Sequence, residues 1–324
     1  MENGFAIEAV NLTKYYGQVL AVDHISFGVR QGEIFGFLGP NGAGKTTTVS
    51  MLITLLTPSE GTALVNGHDI IKDAYRARQD IGVVPEMSNV YVELSAWANL
   101  IFTGELHGVP RRRREAKAQE LLQQLGLWEK RHTKASEFSM GMRKRLLIAM
   151  ALVHDPAVIF LDEPTSGLDV QSGILVRAII RRLNSDGATI FLTTHQMEEA
   201  NQTCDRVAII HHGRIACIDA PENLRQAIES VQSVLVSFAQ SSDELERELA
   251  GLNGVLEVRK DGDKFRLFTQ SPGALVPQIV DLARGHNTEL VSLNTAGPSL
   301  EDVFIKITGI DVSIGEGGKR NGVA

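Results

Sequence analysis

A short apolar stretch, Ile34 to Leu38, runs into Gly39-Pro40-Asn41-Gly42-Ala43-Gly44-Lys45-Thr46-Thr47, and the helix-period segment Val49 to Leu56 follows. The spacing G-x-x-x-x-G-K-T belongs to loops whose glycines let successive N–H groups converge on phosphate oxygens at a helix N-terminus, where the dipole favours anions. Lys45 adds a positive charge toward the β and γ phosphates, and Thr46 adds a hydroxyl suited to Mg2+. An ordinary glycine turn is the bland alternative, and the strand-loop-helix context weighs against it.

A second constellation lies at Val158-Ile159-Phe160-Leu161-Asp162-Glu163-Pro164, an apolar strand that ends in two acids. In a parallel sheet those acids stand at the carboxyl edge, beside the phosphate loop. Asp162 is then a carboxylate in the Mg2+ shell, and Glu163 is placed to orient or deprotonate a water for in-line attack on a γ phosphate. Capping of the strand end is the plainer reading of both acids.

The elements that must position these groups alternate along the chain. Ala6 to Leu12 and Val19 to Val29 show a period of two and predict an antiparallel pair turning at Tyr16-Gly17. From about Ser95 to Val153 the pattern is mostly helical, broken at Gly108-Val109-Pro110 and stopped at Gly126, which predicts a helical insertion at about 87–155. Strand, helix, strand, helix, strand over Val158–Leu161, Val170–Leu183, Thr189–Thr193, Met197–Thr203 and Val207–Ile210 implies a mainly parallel sheet. Beyond a polar stretch from Ala220 to Ser233, the order β-α-β-β-α-β to Leu293 predicts a small α+β, ferredoxin-like domain. The expected division is 1–230, 231–310 and a glycine-rich, disordered tail over 311–324.

With 43% hydrophobic residues, the chain can bury real cores, about two of them at this length. A formal charge of −7 gives no general basic field, so nucleic acid is not an expected partner. The longest apolar run, Leu146 to Val153, stops at His154 and Asp155, short of the roughly 18 residues that span a bilayer. Met1-Glu2-Asn3 opens no secretory signal, and Cys204 and Cys217 have no metal-type spacing, so a reducing cytosol is expected. The basic run Arg111 to Arg114, followed by Glu115, predicts a solvated helix face.

Taken together, the loop at 39–47 and the acids at 162–163 resemble those of the ATP-binding subunit of an ABC transporter over about Ala6 to Asp219. Phe138-Ser139-Met140-Gly141-Met142 resembles the family signature LSGGQ, with Met140 for its first glycine and Met142 for its glutamine. Ser166-Gly167-Leu168-Asp169 resembles the D-loop, and His195 the switch histidine that contacts the γ phosphate. Tyr16 stands where the family has an aromatic stacked on adenine, and Glu86 where it has the Q-loop glutamine that reaches Mg2+. The last segment, Pro298 to Lys306, resembles the C-terminal extension of the daunorubicin-exporter and sodium-exporter branch.

The resemblance implies ATP and Mg2+ as cofactors, with hydrolysis driven by Glu163 and His195. ATP would contact Tyr16, the 39–47 loop and, from the opposite chain, Ser139, Gly141 and Asp169, while Thr46, Glu86 and Asp162 serve the metal. One loop and one signature per chain imply a nucleotide-sandwich homodimer. A separate permease would dock near Glu86 to Leu106 and the helical insertion and would hold the chain on the inner face of the cell membrane; the apolar residues of Ser88 to Leu94 serve either that docking or ordinary packing of the insertion onto the sheet. Export of a drug-like or other small solute is the expected role. The alternatives are a soluble ABC-type regulatory ATPase and an ATP sensor without transport.

Overall fold

The computed structural model describes residues 4–87, 89–227, 232–240, 243–297 and 299–308. Two compact units divide between Pro221 and Glu222.

In the first unit, β1 (Phe5–Tyr16) and β2 (Val19–Arg30) form the antiparallel pair expected from their alternation. β3 (Ile34–Leu38) leads through the glycine loop to α1 (Lys45–Leu52). The helix starts four residues earlier than its apolar period suggests, because the left-handed Gly44 already turns the chain into it. β4 (Glu60–Val65) and β5 (His68–Asp69) extend the antiparallel sheet to the order β2-β1-β4-β5. After α2 (Ala74–Gln79) and β6 (Ile81–Val84) comes the helical insertion, with α3 (Ala96–Leu106), α4 (Arg111–Gln124) and α5 (Met140–Leu152).

β7 (Val158–Asp162), α6 (Val170–Ser185), β8 (Thr189–Thr194), α7 (Met197–Thr203) and β9 (Arg206–His211) complete the alternation, and β10 (Arg214–Asp219) closes it. The sheet order is β10-β9-β3-β8-β7-β6, parallel except for the edge strand β10. The sheet's middle strands read as unbroken apolar runs because both faces are covered. Phe27, Phe35, Phe37 and Phe160 pack around Phe191, with ring centroids 5.3 to 6.1 Å apart. This core fixes the carboxyl ends of β3, β7 and β8, where the loops of interest emerge.

The arginine run opens α4 and is drawn into ion pairs within the unit. Arg111 meets Glu115 at 2.9 Å, Arg113 meets Asp155 at 2.7 Å and Arg114 meets Glu105 at 3.2 Å.

His154, just past α5, stacks on His107 at the end of α3, with centroids 3.8 Å apart. Its Nε2 donates to the Ile81 carbonyl at 3.1 Å, and its buried Nδ1 has no partner. Burial, reinforced by the charge of His107, pushes the His154 pKa down to about 4 from an ordinary 6.5. The unfolded chain therefore takes up a proton below pH 6.5 that the folded one refuses, and stability falls as pH drops through that window toward 4. At pH 5 this should amount to about 2 kcal/mol. In denaturant titrations His154→Phe is expected to lose less stability between pH 7 and pH 5 than the parent chain; equal losses would refute the assignment.

The second unit begins within α8 (Pro221–Gln226), in a stretch whose polarity alone suggests a connector. It continues through β11 (Gln232–Phe238), α9 (Asp243–Ala250), β12 (Val255–Asp261), β13 (Lys264–Thr269), α10 (Pro272–Gly285), β14 (Leu290–Ala296) and α11 (Leu300–Thr308). The sheet order β12-β13-β11-β14, antiparallel throughout, is the ferredoxin-like arrangement. Val234, Val236, Leu245, Leu249, Phe265 and Ile279 lie in its core. Pro298 and the tail from 311 lie outside the described residues.

Candidate nucleotide site

Gly39 and Gly44 shape the loop after β3 for different reasons. A Cβ at Gly39 would lie 2.4 Å from the Ile210 carbonyl oxygen, so the backbone approaches β9 more closely than any side chain permits. Gly44 has φ +107°, and a Cβ there would meet the Ala21 carbonyl oxygen at 2.7 Å. No side chain caps α1 at Gly44, whereas Ser95, Ser139 and Asp169 cap α3, α5 and α6. The first turn of α1 thus keeps N–H groups free of side-chain caps at its positive end, the condition for binding an anion there.

The loop lines a cleft of about 390 Å3, together with Ala21, Glu86, Asp162, Glu163, Ser166 and His195. Lys45 is buried at its base, its Nζ donating to the carbonyls of Gly39 at 2.7 Å and Pro40 at 3.3 Å and standing 3.7 Å from Glu163 Oε1. His195 Nδ1 lies 2.8 Å from Glu163 Oε2. Thr193 donates its hydroxyl to Asp162 Oδ1, and its carbonyl accepts from the Glu163 N–H at 3.1 Å.

Successive residues of an extended strand point to opposite faces, so a strand running on through Asp162 and Glu163 would separate the two carboxylates. Glu163 instead adopts φ +45°, which ends β7 and turns both acids into one cleft. Such a conformation costs a non-glycine residue of order 1–3 kcal/mol and persists only where the surroundings enforce it.

Behind the cleft, the third residue beyond the signature glycine is a buried lysine that the motif pattern does not single out. Lys144 Nζ donates to the carbonyls of Pro85 at 3.2 Å and Glu86 at 3.1 Å, tying α5 to the segment that brings Glu86 to the cleft. Burial holds its pKa below the ordinary lysine value. Nothing in the spacing marks it, since a charged residue in a helix ordinarily faces solvent.

Other expected contact residues lie elsewhere. Ser139 caps α5 by accepting from the Met142 N–H, and Asp169 caps α6 by accepting from Ser172. A Cβ on Gly141 would meet Ser172 Oγ at 2.4 Å, so the signature stretch packs against the start of α6. Neither these three residues nor Tyr16, which is 51% exposed at the end of β1, line the cleft. Of the apolar residues at 88–94, Val90 is buried and Leu94 half-buried, while Tyr91 and Val92 are exposed; Ser88 lies outside the described residues.

Comparison with known proteins decides the family. The ABC transporter domain model matches residues 22–166. The daunorubicin/doxorubicin resistance ATP-binding protein DrrA of Streptomyces peucetius is 38% identical over 94% of this chain and 92% of its own. This chain is an ABC transporter ATP-binding subunit. The Nod factor export ATP-binding protein I of Sinorhizobium fredii is 37% identical over 94% of this chain and 86% of its own. A solved ATP-binding subunit of an ABC transporter superposes with a TM-score of 0.63 at 27% identity, covering 68% of this chain and 92% of that one. ABC subunits of this kind bind ATP, hydrolyse it to ADP and phosphate, and work with separate membrane components. Among the described residues, no helix is long and apolar enough to cross a membrane.

Proposed function

We propose that this ABC subunit energises export of a drug-like or other small solute through a separate permease, from the cytoplasmic face of the membrane, as a homodimer that sandwiches ATP. The observation that carries the reading is the convergence of Lys45, Asp162, Glu163 and His195 on one cleft at the carboxyl edge of the sheet. The names of the two relatives, one for drug resistance and one for export, support the direction and the class of solute. Neither relative is described as a soluble regulator, so that alternative draws no support from them.

The loop at 39–47 would wrap the phosphates, with Lys45 facing the β and γ groups. Glu163 would take the proton from the attacking water, while His195, 2.8 Å away, orients that carboxylate and meets the γ phosphate. Tyr16 would stack on adenine.

For Mg2+ the donor set is suitable, since Thr46, Glu86 and Asp162 offer only oxygen and all line the cleft. Among the described residues, no group of three or more His, Cys, Asp and Glu could cage a metal alone. Mg2+ characteristically keeps several waters and is held by one or two carboxylates together with substrate phosphates. When bound it supplies charge neutralisation across those phosphates.

Ser139, Gly141 and Asp169 lie outside their own chain's cleft, which favours their use on the ATP held by a second copy. Exposed Met87, Tyr91, Val92, Phe102 and Leu106 supply apolar surface for a permease, with Tyr91 and Phe102 packed edge to face at 5.0 Å. Extraction of membranes in mild detergent at low salt, followed by capture of this chain, is expected to recover a multi-spanning membrane protein in stable association. A chain that stays in the soluble fraction without such a partner would overturn the transport role.

A further inference from the structure

Glu199 has no part in the scheme above, yet it is 4% exposed and lies within the first turn of α7, four residues after His195. Its Oε1 accepts from Thr165 Oγ1 at 2.7 Å. Thr165 is itself buried and stands two residues after Glu163, in the loop that continues to Asp169. Burial raises the Glu199 pKa, the hydroxyls of Thr165 and Thr194 oppose that rise, and the negative charge of Glu163 adds to it. A buried carboxyl gives up its hydration, and among the described residues no cation stands within ion-pair distance of this one. Ion pairing therefore gives no reason for a carboxyl at this position.

Its placement does. The bond from Thr165 to Glu199 crosses from the loop that carries Glu163 to the helix that follows His195. These are the two segments whose separation sets the 2.8 Å contact between Glu163 and His195.

We propose that Glu199 is a positioning residue for hydrolysis, clamping through Thr165 the loop of Glu163 to the segment of His195 so that the carboxylate and the imidazole stay in register. The proposal rests on the roles given above to Glu163 and His195. It concerns kcat and leaves ATP binding alone, because neither Thr165 nor Glu199 lines the cleft.

Steady-state ATPase rates and ATP titrations on the full chain test it. Glu199→Ala and Thr165→Val are each expected to lower kcat about 10-fold, the scale of a small misplacement of reacting groups, with ATP affinity and KM within about twofold of the parent. Glu199→Gln keeps an oxygen acceptor for Thr165 and is expected to restore kcat. Because both single changes break one bond, the double variant should be no slower than either, whereas independent structural damage would multiply. If Glu199→Ala does not fold, Thr165→Val against Thr165→Ser decides, since serine retains the hydroxyl. Equal kcat for those two, multiplying effects in the double variant, or affinity falling in step with kcat would overturn the clamp. Should Glu163→Gln hydrolyse ATP at the parental rate, the underlying roles fail; should it be inactive while Thr165→Val is fully active, the clamp alone fails.

Discussion

Glu163→Gln is expected to bind ATP with affinity within about threefold of the parent chain while releasing phosphate about 10²–10⁴-fold more slowly, the range over which a positioned general base contributes. Glutamine keeps the volume of the side chain and can still meet His195, but it cannot accept the proton of an attacking water. The phosphate loop and Lys45 are unchanged by the substitution, so binding should survive. Loss of the carboxylate 3.7 Å from Lys45 also removes a negative charge from beside the phosphates, which acts in favour of the bound anion. Slow turnover then leaves the ATP-bound form in place for long periods, and with it any dimer that ATP holds together. Phosphate release measured in single and multiple turnovers checks the rate, and a parental rate would remove Glu163 from the chemistry.

Lys45→Ala is expected to weaken ATP binding about 10–100-fold, the equivalent of one charge-assisted hydrogen bond of about 1.5–3 kcal/mol. The ammonium is buried and fixed by the carbonyls of Gly39 and Pro40, so little side-chain freedom remains to be lost when phosphate arrives. The same cation stands between the phosphate loop and Glu163, and its removal leaves that carboxylate beside His195 alone. Turnover at saturating ATP should therefore fall as well. A fluorescence or calorimetric titration gives the affinity, with a thermal melt confirming that the variant folds; an unchanged dissociation constant would refute the role.

The reading of the fold from sequence succeeded where periodicity and punctuation coincide. The glycine loop, the apolar strands at 34–38, 158–162 and 189–194, and the β-α-β-β-α-β order of the second unit all carry that signal. Strands β4, β5, β6 and β10 escaped it. All four hold six residues or fewer at sheet edges or beside them, too short for a period of two to stand out.

The site was legible as a set of residue types but only in part as geometry. Strand alternation would place Asp162 and Glu163 on opposite faces, and the positive φ that brings them together leaves no mark in the composition. Lys144 and Glu199 are charged residues in helices, where charge ordinarily means solvent, and only the packed structure reveals that both are buried and bonded to the segments carrying Glu86 and Glu163. Ser139, Gly141 and Asp169, which the resemblance assigns to the ATP of an opposite chain, lie outside the cleft of their own chain.

That separation makes subunit association the sharpest point of the account. Sedimentation of the Glu163→Gln chain with and without ATP and Mg2+ measures it directly. The account predicts a mass that doubles when ATP is added and returns to the monomer when Ser139, at the facing signature, is replaced by a bulky residue. A chain that saturates with ATP yet sediments as a monomer throughout would contradict it.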